Sequence, residues 1–89
     1  MSSAHSLLGK MRQSKNGWRY NDVKTLYLGF GFEFREGGNH TVFFHPVHRR
    51  LIATVARHRS LPLGYVQKAI ALVDELIALE QSSEEKHGK

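Results

Sequence analysis

Eighty-nine residues, 40% of them hydrophobic and none of them cysteine, make one domain with one modest core, held by packing without disulfides or thiolate metal sites. No apolar run approaches the roughly 20 residues that span a bilayer, and Met1–Gly9 lacks the basic start and apolar core of a secretory signal, so a cytoplasmic location is expected. The net charge of +5 is uneven, with eleven Lys and Arg against three acids over residues 1–68 and two against five over residues 69–89, which suits a polyanionic partner or a plain solvated basic surface.

Residues 1–20 read as an extension ahead of the domain. Leu7, Leu8 and Met11 share one side of a short helical turn that Gly9 weakens, and Asn16-Gly17 signals a turn. Trp18 and Tyr20 are expected to fold back onto the core, the alternative being a platform for stacking a base. Asn21 suits an N-cap, with Asp22 in the first turn. Val23, Leu26, Tyr27 and Phe30 then mark the apolar face of a first helix, which Gly29 and Gly31 end, one of them in a left-handed cap.

Phe32–Glu36 alternates aromatic and charged side chains, as a half-buried strand does. Gly37-Gly38-Asn39 is expected to supply the positive φ values of a tight hairpin. His40–His45 is the second strand, with consecutive apolar residues Val42, Phe43 and Phe44 as in a central strand, and Pro46 stops it. Arg50–Ala56 is a third, β-branched strand, followed by the basic loop Arg57–Ser60. Pro62 suits the first turn of a last helix. Its stripe is Val66, Ala69, Ile70, Val73, Leu76 and Ile77. Leu72 and Leu79 widen that stripe, to cover the N-terminal extension or to meet a partner. The domain is thus expected over 21–81, with a polar tail at 82–89. The fold class is α+β in the order α-β-β-β-α, a three-stranded antiparallel sheet with two helices on one face, the arrangement of double-stranded-RNA-binding domains.

His40 follows the glycine turn at the head of a strand in a basic protein. An imidazole there can exchange protons near neutral pH beside a phosphate, or simply make a turn hydrogen bond. Arg35, Arg49, Arg50, Arg57 and Arg59 are candidate phosphate clamps if the fold gathers them on one side. His45 is expected to order the turn at Pro46 or to pack half-buried, and His58 to bind phosphate, support His40 or cap the basic loop. His40 and His45 fall on opposite faces of a regular strand, and no nearby carboxylate completes a tetrahedron, so neither metal nor other cofactor is expected.

Gly31-Phe32, Gly38-Asn39-His40-Thr41-Val42-Phe43-Phe44-His45-Pro46, Ala53-Thr54-Val55-Ala56-Arg57-His58 and Leu61-Pro62-Leu63-Gly64, in that order within residues 21–78, resemble the HicA toxins. These are small mRNA interferases of type II toxin–antitoxin systems, built on the double-stranded-RNA-binding fold. The resemblance implies that His40 is catalytic; Asn39, which stands where the family usually has serine, and His58, in a family-like position, are candidates for support. It also implies a metal-independent endoribonuclease that cuts mRNA and is restrained by a HicB-like antitoxin protein, as a homodimer or a toxin–antitoxin hetero-oligomer. Such cleavage proceeds by attack of the 2′-OH on the adjacent phosphorus, and needs a base, an acid and charge stabilisation. Two other functions fit the residues: a non-catalytic RNA-binding module on the same fold, and a protein-interaction adaptor acting through its long apolar helix.

Overall fold

The structure is a computed structural model that describes residues 3–57 and 61–87, with side chains over 4–57 and 61–81. The chain forms α1 (Ser3–Gln13), α2 (Tyr20–Gly29), β1 (Glu33–Glu36), β2 (His40–Phe44), β3 (Ile52–Ala56) and α3 (Leu63–His87). The strands make one antiparallel sheet in the order β1-β2-β3. The α+β class and the central position of β2 agree with the sequence reading.

The N-terminal segment departs from that reading. It forms a full helix, α1, whose Ala4, Leu8 and Met11 are buried. Gly9 lowers helix propensity, but a short helix gains most of its stability from docking an apolar face, and Met11 is fully enclosed. Gly29 makes the docking possible, since a Cβ there would stand 2.4 Å from Ala4 Cβ. Arg12 grips Asp74 of α3 through both carboxylate oxygens. The wide apolar stripe of α3 therefore serves α1 as well as the sheet, and Leu72 is buried with the rest. α3 itself runs past Gln81 to His87.

α2 begins one residue before the expected cap. Arg19 is the N-cap, and its N–H donates to the Asp22 carboxylate at 2.9 Å, so Asp22 does the capping expected of Asn21. The helix ends at Gly29 with Phe30 as its C-cap, and the chain then turns at Gly31, where φ is +90°. Phe32 N–H donates to Tyr27 O at 3.0 Å and Gly31 N–H to Leu28 O at 3.1 Å, a Schellman motif. Its apolar contact is Phe32 against Tyr27, ring centroids 4.9 Å apart.

The sheet register puts Thr41, Phe43, Ala53 and Val55 on the inner face, all buried. Phe43 stacks on Tyr27 of α2 at 4.7 Å, and Val66, Ala69 and Val73 of α3 complete the core. Phe34 lies on the same face opposite Phe43. It sits on an edge strand and stays partly open, with Lys24 Nζ 4.4 Å from its ring centroid. Phe32, expected inside the strand, is buried just before it. Trp18 and Tyr20 pack against the core as expected.

The β1–β2 connection corrects the sequence reading. Gly37, Gly38 and Asn39 all lack positive φ, which among the described residues occurs only at Gly17 and Gly31. Mirror-image turns suit a hairpin whose turn must impose the strand twist by itself; here a neighbouring side chain holds the turn from outside. No helix among the described residues is long and apolar enough to cross a membrane.

Candidate functional site

Period-two alternation along β2 sends Thr41 and Phe43 inward and His40, Val42 and Phe44 outward. The outer face carries Glu33 and Arg35 from β1 and Ile52, Thr54 and Ala56 from β3 in register with them. Both helices that cover the sheet lie on the other side, so this face is open: His40, Arg35, Thr54 and Ile52 are exposed, and Val42 and Phe44 are half-buried. His40 stands at one end of the row. At the other, about 13 Å along the strand, Glu33, Arg35, Phe44, Pro46, Arg49 and Ile52 line an open cleft of about 410 Å³. The Arg35 guanidinium lies 5.7 Å from the Phe44 ring centroid.

Arg57 follows β3 and grips the hairpin that carries His40. Its Nη1 donates to His40 O and to Thr41 Oγ1, each at 3.2 Å. Its Nη2 donates to Gly37 O at 3.1 Å and also to Gly38 O. Its backbone N–H donates to Asn39 O at 3.0 Å, and Gly37 N–H to His40 O at 2.8 Å. Every carbonyl from Gly37 to His40 thus has a donor, four of the five bonds coming from one residue. Behind them, Thr41 Oγ1 lies 2.6 Å from Tyr20 OH, which ties the turn to the start of α2. A planar guanidinium suits this task because its donors are fixed in a fork.

The five arginines therefore part company. Arg35 and Arg49 share the outer-face cleft. Arg50 is turned to α3, with Nη2 2.7 Å from Glu75 Oε2. Arg57 is occupied by the hairpin and is not placed as an open phosphate clamp. Arg59 and His58 lie outside the described residues. Asn39 sits at the tip of the turn and is exposed.

His45 orders the turn after β2, as its place before Pro46 suggested. The ring is buried, and its Nδ1 accepts from Val47 N–H at 3.1 Å and His48 N–H at 3.2 Å. Burial lowers its pKa and the neighbouring His48 adds to this, against the smaller opposing pull of Glu80 and Glu33. Neutral imidazole is the form that can accept at Nδ1. Phe32 meets the ring edge-on at 5.2 Å, and a Cβ on Gly31 would lie 3.5 Å from Nε2. The Gly-Phe helix stop and the His-Pro strand end are thus one packed unit.

Thr41 and its hydroxyl contact with Tyr20 are the part of the site that sequence reasoning passed over. Their signal was available: Thr41 is a polar residue at an inward position of an apolar strand, and such a hydroxyl needs a partner. Among the described residues no three His, Asp or Glu side chains are grouped to hold a metal ion.

No family model, no curated protein and no solved structure matches this chain.

Proposed function

We propose that this protein is a metal-independent endoribonuclease that cleaves mRNA, with His40 as the acid/base residue. The observation that carries the reading is the exposed His40 side chain on an open sheet face, borne by a hairpin whose carbonyls Arg57 holds. An exposed imidazole reaches a polymeric substrate, and a fixed turn limits the positions from which it exchanges a proton. Arg35 and Arg49 on the same face offer charge to the strand beyond the cut. The resemblance to the HicA toxins supports this reading, and with it a cytoplasmic location and a HicB-like protein partner whose acidic groups cover the basic face.

The test is incubation of purified protein with a long RNA in EDTA, alongside His40→Ala. Cleavage that persists in EDTA and is lost in the variant is expected, a fall of at least about 100-fold for removal of a general acid or base. Binding without cleavage, equal in both proteins, would establish the RNA-binding module instead. Absence of binding at low salt would overturn both readings and leave the adaptor.

A further inference from the structure

The register sets Glu33 of β1, Phe44 of β2 and Ile52 of β3 side by side on the outer face of the sheet. The solvent side of an antiparallel sheet is ordinarily polar. Here Phe44 is only half-buried and Ile52 is 51% exposed. Val42, in the next row, is half-buried as well, and Pro46 beyond the strand is exposed. An aromatic ring left open among aliphatic neighbours, on a face that no helix covers, marks a binding surface.

The charged groups around the ring say what it binds. Arg12 is held by Asp74, Arg50 by Glu75 and Arg57 by the hairpin. Arg35 and Arg49 instead line the cleft together with Glu33, and among the described residues no ion pair joins that carboxylate to either guanidinium. The cleft thus offers a ring face, two cationic forks and a pair of acceptor oxygens in about 410 Å³, a volume within the usual range of small-molecule sites.

An apolar peptide side chain would use the ring and leave all three charges unmatched. A simple anion would use the forks and meet the carboxylate as a repulsive neighbour. A nucleotide uses every part. Its base stacks on an aromatic ring, its phosphates accept from arginine forks, and the N–H groups on its base edge suit an acceptor-only carboxylate. Guanine is the base whose N1–H and N2–H stand side by side, matched to the two oxygens of one carboxylate. The Arg35 guanidinium, 5.7 Å from the Phe44 ring centroid, extends the platform, since guanidinium planes also stack bases.

We propose that the cleft around Phe44 is a base subsite of the RNA strand and takes guanine. Phe44 stacks the base, Glu33 reads its N–H edge, and Arg35 and Arg49 hold the flanking phosphates. This rests on the nuclease reading and names the specificity of the same face. His40 stands about 13 Å away along β2, a distance that a strand stacked at roughly 3.4 Å per nucleotide covers in about four nucleotides. The cut therefore falls at a fixed short distance from a guanine and not beside it.

The test is binding of the full chain to 2′-deoxy hexanucleotides, which lack the 2′-OH and so are not cut: an all-thymidine strand, the same strand with one guanine, and GMP as a free nucleotide. The guanine strand should bind about tenfold more tightly than the thymidine strand and shift the Phe44 ring signals in NMR. Tighter binding of GMP than of the guanine strand would overturn the assignment to a nucleic-acid strand. Glu33→Gln changes an exposed side chain, so it should keep the thermal midpoint while abolishing the guanine preference; a preference that survives would sink the reading of the base edge. Phe44→Leu should weaken both strands about tenfold, and unchanged affinity would refute the stack. Ring shifts absent with either strand would refute the subsite and leave the cleft to a protein partner, an outcome read on the wild-type chain whether or not the Phe44 variant folds. A guanine preference in a protein that leaves RNA intact would refute the nuclease and keep the subsite, whereas cleavage indifferent to guanine would refute the subsite alone.

Discussion

Gly29→Ala tests whether the N-terminal helix belongs to the domain. In a free helix the change should help, because alanine is favoured over glycine by up to about 1 kcal/mol. Here the new Cβ would sit 2.4 Å from Ala4 Cβ, whereas carbon atoms rest about 3.5–4.0 Å apart. α1 must therefore back away by more than about 1 Å, and it carries Leu8 and Met11 out of a closed core as it goes. Overpacking of this kind costs about 1–3 kcal/mol. After the helix gain the net loss should be about 1–2 kcal/mol, a fall in thermal midpoint of roughly 5–15 °C for a domain of this size. The assay is urea and thermal unfolding of Gly29→Ala, Ala4→Gly and the double variant. The double variant moves one methyl across the contact, so it should recover most of the loss and show a favourable coupling of about 1–2 kcal/mol. A single variant as stable as wild type, or more so, would refute the docking of α1 on α2.

Other predictions concern the histidines and the helix stop. His40→Ala should leave the unfolding midpoint within about 0.5 kcal/mol of wild type, since the side chain is exposed, so loss of cleavage in that variant would not be a folding defect. Burial lowers the His45 pKa, so the unfolded chain binds the proton more readily than the folded one. Stability should be full above the unfolded value of about 6.5 and decline as pH falls from there toward the folded value, by at most about 1.4 kcal/mol per pH unit. Urea unfolding at pH 7.5 and 5.5 checks this, and His45→Ala should be less stable by about 2 kcal/mol and show a shallower pH slope; an unaltered slope would exclude His45 as its source. Gly31→Ala should cost about 1–2 kcal/mol through its left-handed backbone, because the 3.5 Å approach to His45 Nε2 is an ordinary contact; a neutral result in urea unfolding would refute the Schellman stop.

Elements whose burial has one simple period were legible in the chain. Val23, Leu26 and Tyr27 and the long stripe of α3 were read from spacing, because each faces one core; the second strand was read over His40–His45 from its consecutive apolar residues and Pro46, and it ends at Phe44 with one face buried. α1 was not, since the contact that fixes it is the absence of a side chain at Gly29, which reads as a helix stop. His40 was recognisable from its place after the turn, but the roles of the arginines were not. Arg50 and Arg57 look alike in sequence, and only the register that brings Glu75 to one and four turn acceptors to the other separates them. The turn's φ values were misread for the same reason: an external guanidinium replaced the constraint that an isolated hairpin must supply itself.

The hairpin is fixed at both ends, by Arg57 at its tip and by His45 against Gly31 and Phe32 at its base. Its length is consequently not free to vary, although surface hairpins are ordinarily where chains accept extra residues. One residue added to β2 between Thr41 and His45 would rotate Phe43 out of the core or carry His45 away from its glycine. One added at Gly38 would separate the imidazole from the grip that aims it. Insertions into this protein should therefore survive at Asn16-Gly17, where the turn is exposed and a Cβ on Gly17 meets nothing, and fail between Gly31 and Pro46.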